Sequence, residues 1–139
     1  MAADALATSF HRSFGLPVVI VRPFNTYGPR QSGRAVIPAV AAQALHAGEV
    51  RVGALTPTRD FTFVTDTVAG FLALAAEGRA VGGTVNLASG HEISIGDLAH
   101  RITTVVGRSV PIVSDEDRLR PGRSEVTRLL GDASHARAL

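Results

Sequence analysis

Apolar residues recur every fourth position at the start of the chain, where Leu6, Phe10 and Phe14 line one side of residues 2–14. That spacing predicts an amphipathic helix, and Gly15 ends it, because glycine tolerates the left-handed conformation of a helix stop. The pattern then changes to an unbroken, largely β-branched run over residues 17–21. Such a run predicts a strand buried on both faces, as in a parallel sheet covered by helices. Proline, glycine and asparagine mark residues 23–33 as a loop. Helical spacing returns over 36–47 and stops at Gly48, followed by a short strand at 50–52 and a Thr/Pro turn at 56–58. Residues 61–64 alternate as a strand; Val68, Phe71, Leu72 and Ala75 then form a helical stripe ending at Gly78. Residues 83–87 and 110–113 predict further strands. Between them Ser94 suits the N-cap of a helix reaching Val106, with Asp97 in its first turn and Gly107 behind it. Asp66 and Asp132 are placed to cap the helices that follow them.

Helices and strands alternate, which predicts the α/β class. No repeat, low-complexity tract or internal linker interrupts the pattern. The chain opens inside a helix and stops as another begins at 135–139, and no complete βαβ unit precedes the first strand. Both ends are therefore expected to be cut edges of a larger fold.

The 139 residues amount to about one domain, and 45% hydrophobic with 19% charged residues is globular composition. No apolar run approaches the roughly 20 residues of a membrane span, and the N-terminus lacks the basic start and apolar middle of an export signal. A cytoplasmic protein without a membrane partner is expected. Cysteine is absent, which excludes disulfides and thiol chemistry, and all 14 basic residues are arginine. A chain without lysine can supply no Schiff-base lysine, phosphate-loop lysine or tyrosine–lysine proton relay. The net charge is only +2 and the arginines are dispersed, so no nucleic-acid partner is expected. The five histidines lack partners at ligand spacing, so no metal is expected either.

Four clusters combine turn residues with polar side chains. Arg22-Pro23-Phe24-Asn25-Thr26-Tyr27-Gly28-Pro29-Arg30 follows the first strand, at the end where open α/β sheets bind ligands. On spacing alone it reads rather as an ordinary turn. Arg59-Asp60-Phe61-Thr62-Phe63-Val64-Thr65-Asp66 opens with an arginine that could grip a phosphate bidentately or pair with Asp60 on the surface. In Val85-Asn86-Leu87 a polar residue interrupts an apolar strand and needs partners, from loop backbone or from a ligand. Arg118 to Glu125 is an arginine-rich loop, fit for an anion or simply solvated. No Gly-x-Ser-x-Gly elbow is present, and no Gly-x-Gly-x-x-Gly run follows a strand.

In this order, the four clusters resemble the extended short-chain dehydrogenase/reductase family, which includes UDP-glucose 4-epimerases and dTDP-glucose 4,6-dehydratases. Arg22 to Arg30 is similar to its signature after the sixth strand, and Arg59-Asp60-Phe61 with Val64-Thr65-Asp66 to its Arg-Asp-aromatic…Val-x-Asp motif. Val85-Asn86-Leu87 and Arg120-Pro121-Gly122 resemble its late strand and arginine loop. Ser124-Glu125-Val126 and Leu130-Gly131-Asp132 resemble a bacterial branch of sugar 4,6-dehydratases.

The resemblance implies that residues 1–139 form the C-terminal part of a Rossmann-type parallel sheet plus the small substrate-binding α/β region. The family's glycine-rich loop and its Ser/Thr, Tyr and Lys precede this region, so no catalytic residue is expected within the chain. Tyr27, the single tyrosine, belongs to Asn-Thr-Tyr-Gly. NAD is the implied cofactor, bordered by Pro23 and Phe24. A nucleotide-sugar is the implied partner. Asn25 would bond its phosphate or sugar, Val36 and Ile37 would pack by the nucleotide, and Val50, Arg51 and Val52 would flank its base. Arg51 departs from the small or apolar residue common there in the epimerases. Arg59 and Arg120 would clamp the diphosphate, with Asn86 in support. Two guanidinium forks suit a diphosphate better than a point charge does. The resemblance thus implies the substrate-binding portion of an epimerase or dehydratase, inactive alone, with the absent N-terminal half or a homodimer partner beside it. A stand-alone binding module and a half-enzyme completed by a separate chain are the alternatives.

Overall fold

A computed structural model describes residues 2–119 and 124–139. Its elements are α1 (Ala2–Phe14), β1 (Ile20–Pro23), β2 (Asn25–Tyr27), α2 (Val36–His46), β3 (Val50–Val52), β4 (Thr58–Phe63) and α3 (Val64–Ala76), then β5 (Thr84–Leu87), β6 (Glu92–Ser94), α4 (Ile95–Val106), β7 (Ile112–Ser114), β8 (Arg128–Leu129) and α5 (Ser134–Ala138). Single 3₁₀ turns occupy Gly78–Ala80 and Glu116–Arg118. The class is α/β with parallel strand pairs.

Three expectations are corrected. β1 starts at Ile20, later than residue 17, and its residues are half-buried or exposed rather than covered on both faces. Val18 already accepts a bond from the Gly82 N–H (2.7 Å), so the preceding stretch is extended without being laddered. Asp66 is not a cap: α3 begins two residues earlier, with Phe63 as an N-cap that makes no side-chain bond. Asp66 instead lies in the first turn, where a carboxylate favours the helix dipole. Finally, β2 lies within the stretch expected as a loop, and β6 and β8 are strands the pattern does not predict; at two or three residues, none is long enough to show alternation.

The chain divides into two compact units. The first comprises Met1–Thr26, Phe61–His91 and Gly131–Leu139. Here β1 and β5 pair in parallel, from Ile20 opposite Thr84 to Pro23 opposite Leu87. Leu74, Ala80 and Val85 form the buried centre, with Val19, Val21, Leu87, Ala136 and Leu139 packed against them. β2 joins the sheet built on β4, whose last three residues fall in this unit. The apolar side of α1 is not part of that core: Leu6, Phe10 and Phe14 are 61%, 45% and 76% exposed. The helix is tied instead by Asp4, whose carboxylate accepts a bond from Arg22 Nη2 at 2.7 Å. That bond, above all, holds Asp4 below its usual range.

The second unit comprises Tyr27–Asp60 and Glu92–Leu130. Val40, Ala44, Val50, Val52 and Ala99 are its buried centre. β3 pairs in parallel with β7, and along β3 the side chains of Val50 and Val52 are buried while Arg51 is exposed. On the outer edge of β3, the Gln43 amide bonds both the N–H (2.9 Å) and the C=O (3.2 Å) of Arg51. α4 carries the caps its sequence predicts. Ser94 Oγ accepts the Asp97 N–H at 3.0 Å, and Gly107 closes the helix with φ 72°. β4 pairs antiparallel with β6 and parallel with β8. Across these strands Glu92 accepts bonds from Arg128 (2.7–3.0 Å) and from the Thr58 hydroxyl (2.6 Å). These donors, Arg128 first, lower the Glu92 carboxyl to about 2.

Candidate functional site

Arg59 and Asp60 occupy successive positions of β4, so their side chains leave opposite faces of the strand. Asp60 is fully buried, whereas the Arg59 side chain is 14% exposed. Alternation thus separates two residues that could have paired on a loop surface. Arg59 pairs instead with Glu125, whose Oε1 accepts from Nη2 at 3.0 Å. Nη1 donates to the carbonyls of Val126 (2.7 Å) and Thr58 (2.8 Å). The guanidinium is thus largely buried, fixed by backbone carbonyls and neutralised by a carboxylate.

Glu125 is the residue that sequence reasoning leaves without a role. It lies 66 positions from Arg59. Its one signal is an isolated carboxylate at the end of an arginine-rich loop.

The remaining expected residues divide between the units. Val36, Ile37, Val50, Arg51, Val52 and Arg59 belong to the second, and Pro23, Phe24, Asn25 and Asn86 to the first. Arg120 lies outside the described residues. Val36 opens α2 and packs against the core, and Val50 and Val52 are core residues themselves. Arg51 faces outward, with Nε 2.6 Å from Glu49 Oε1 and Nη1 4.0 Å from Asp115. The Arg118 guanidinium adds a bond to the Arg51 carbonyl at 3.0 Å.

In the first unit, Pro23 stands at the C-terminal end of β1, opposite Leu87. The Phe24 N–H donates to the Leu87 carbonyl (2.8 Å), and the Phe24 carbonyl accepts from Thr26 Oγ1 (3.2 Å). The Asn86 amide donates to the Asp132 carbonyl at 3.2 Å, anchoring the backbone just before α5. Asp132 in turn accepts the Ser134 N–H (2.8 Å), and that bond lowers its carboxyl.

Pro23 and Phe24 offer few polar groups to a dinucleotide. Both polar backbone groups of Phe24 are already bonded, proline has no N–H, and no glycine-rich turn follows a strand.

The model of the NAD dependent epimerase/dehydratase family matches residues 1–88. The chain belongs to this family. It is 34% identical over 143 aligned residues to GDP-6-deoxy-D-mannose reductase of Pseudomonas aeruginosa, covering 99% of this chain and 45% of that protein. Among solved structures it resembles an epimerase from Methanothermobacter thermautotrophicus, with TM-score 0.88, 30% identity, and coverage of 98% of this chain and 41% of the other. It also resembles UDP-glucuronic acid 4-epimerase of Bacillus cereus, solved in complex with UDP-glucuronic acid and NAD. There the TM-score is 0.85 at 28% identity, covering 99% of this chain and 43% of that one. The chain spans less than half the length of the first curated relatives it matches. Among the described residues no helix is long and apolar enough to cross a membrane, and no cluster of acidic residues and histidines could hold a metal.

Proposed function

We propose that this chain supplies the nucleotide-sugar grip of an NAD-dependent epimerase/dehydratase-family enzyme, with the diphosphate seated on Arg59. The observation that carries this reading is the Arg59 guanidinium, 14% exposed, fixed by two carbonyls and already facing a carboxylate oxygen. Arg120 would approach the same diphosphate, Asn25 the phosphate or sugar, and Val36, Ile37 and the strand Val50–Val52 the nucleoside. Asn86 acts by holding the Asp132 backbone. Pro23 and Phe24 would border the nicotinamide of NAD, whose chemistry is hydride transfer when it is bound.

Replacing Arg59 with alanine should weaken the binding of UDP-, dTDP- or GDP-sugars roughly tenfold or more, the loss of a charge-assisted pair. Calorimetric titration of the wild-type and variant chains measures it, and equal affinities would overturn the assignment. The chain has no lysine, and Tyr27 is followed four positions on by Gln31, so it contains no Tyr-x-x-x-Lys relay. The purified chain should accordingly turn over none of these sugars with NAD; an epimerised or 4-keto sugar product, seen by NMR above the protein-free control, would refute that.

A second reading concerns the branch. Alignment with a GDP-6-deoxy-D-mannose reductase over 99% of the chain favours a reductase parent that takes a guanine nucleotide. Tighter binding of GDP than of UDP or dTDP in the same titration would support it.

A further inference from the structure

We propose that Glu125 is an internal competitor for the anion seat: its carboxylate occupies the Arg59 donor that an incoming diphosphate must take. The inference rests on the reading of Arg59 as an anion site. Nη1 alone, bonded to the carbonyls of Thr58 and Val126, already fixes the orientation of the guanidinium. Glu125 is therefore not needed to place the fork; it fills Nη2. Both side chains retain a solvent-facing fraction, 14% for Arg59 and 20% for Glu125. Glu125 lies outside any helix or strand and has three side-chain torsions with which to swing away. A buried arginine without a counter-charge is costly, so the carboxylate neutralises the empty seat and yields it to a more highly charged ligand. Glu125 is thus a specificity-setting residue. Weak monoanions would fail to displace it, whereas a diphosphate offers more charge and more oxygens to the same fork.

The test uses the 139-residue chain titrated with inorganic pyrophosphate in a calorimeter. Glu125→Gln keeps a hydrogen-bond acceptor but removes the competing charge, and should bind pyrophosphate roughly two- to fivefold more tightly than wild type. The same substitution in an Arg59→Met background should change nothing, a non-additivity that a purely structural role would not produce. If Glu125→Gln binds equally or more weakly while Arg59→Met loses binding, the competitor role is wrong and the Arg59 seat stands. If Arg59→Met leaves affinity unchanged, the seat itself is wrong. Should Glu125→Gln fail to fold, Glu125→Asp provides the check. Its shorter side chain releases Nη2 and should also tighten binding, and unchanged or weaker binding there overturns the proposal.

Discussion

Single side chains here act through pairings that cross the sheet. Glu92 receives the Arg128 fork and the Thr58 hydroxyl, and its carboxyl is lowered to about 2 from an ordinary 4.5. A carboxyl that is harder to protonate in the folded chain stabilises it fully above the unfolded value. That contribution is lost as pH falls from about 4.5 towards 2. The melting temperature should drop over that interval, and Glu92→Gln should lower it at neutral pH while flattening the acid limb. Gly53 makes a different demand: a Cβ there would lie 2.6 Å from the Arg118 carbonyl oxygen, which is backbone and cannot swing aside. Gly53→Ala should destabilise the chain by about 1–3 kcal/mol in urea denaturation. Neither requirement is legible in sequence, because the partners are 36 and 65 positions distant. The parity of Arg59 and Asp60 is not legible either: the pattern predicts a strand only from residue 61, and it is the start of β4 at Thr58 that sends them to opposite faces.

Whole elements were readable where local chemistry decides them. The Ser94 cap, Asp97 and the left-handed Gly107 delimit α4 with no tertiary contribution, and the structure has all three. Ser94→Ala should cost about 1 kcal/mol, seen as a fall of a few degrees in the melting temperature. α1 is the opposite case. Its period of four predicts the helix correctly but says nothing about burial, and no residue of α1 is buried. Changing Leu6, Phe10 and Phe14 together to glutamine should therefore shift the thermal midpoint by less than about 3 °C, as for other surface substitutions. The short strands β2, β6 and β8 escaped the sequence because long-range pairing rather than intrinsic pattern makes them.

At the scale of the molecule, each compact unit draws its core from separated stretches. Val40, Ala44, Val50 and Val52 are completed by Ala99, while Leu74, Ala80 and Val85 pack with Val19, Val21, Ala136 and Leu139. The chain crosses from unit to unit at residues 26/27, 60/61, 91/92 and 130/131. A peptide of residues 27–60 should consequently lack helical circular dichroism on its own, although it contains all of α2. The division of the expected site residues between the units was not legible, since sequence motifs give order and not proximity. Gln43 gives the architecture one more property. A strand with an open side ordinarily invites a second chain to add to it, the first step of fibril growth. By bonding both backbone groups of Arg51, the glutamine side chain stands in for that extra strand at the middle of β3. The Gln43 amide, joined at the Arg51 carbonyl by the Arg118 guanidinium, guards this edge against templated aggregation.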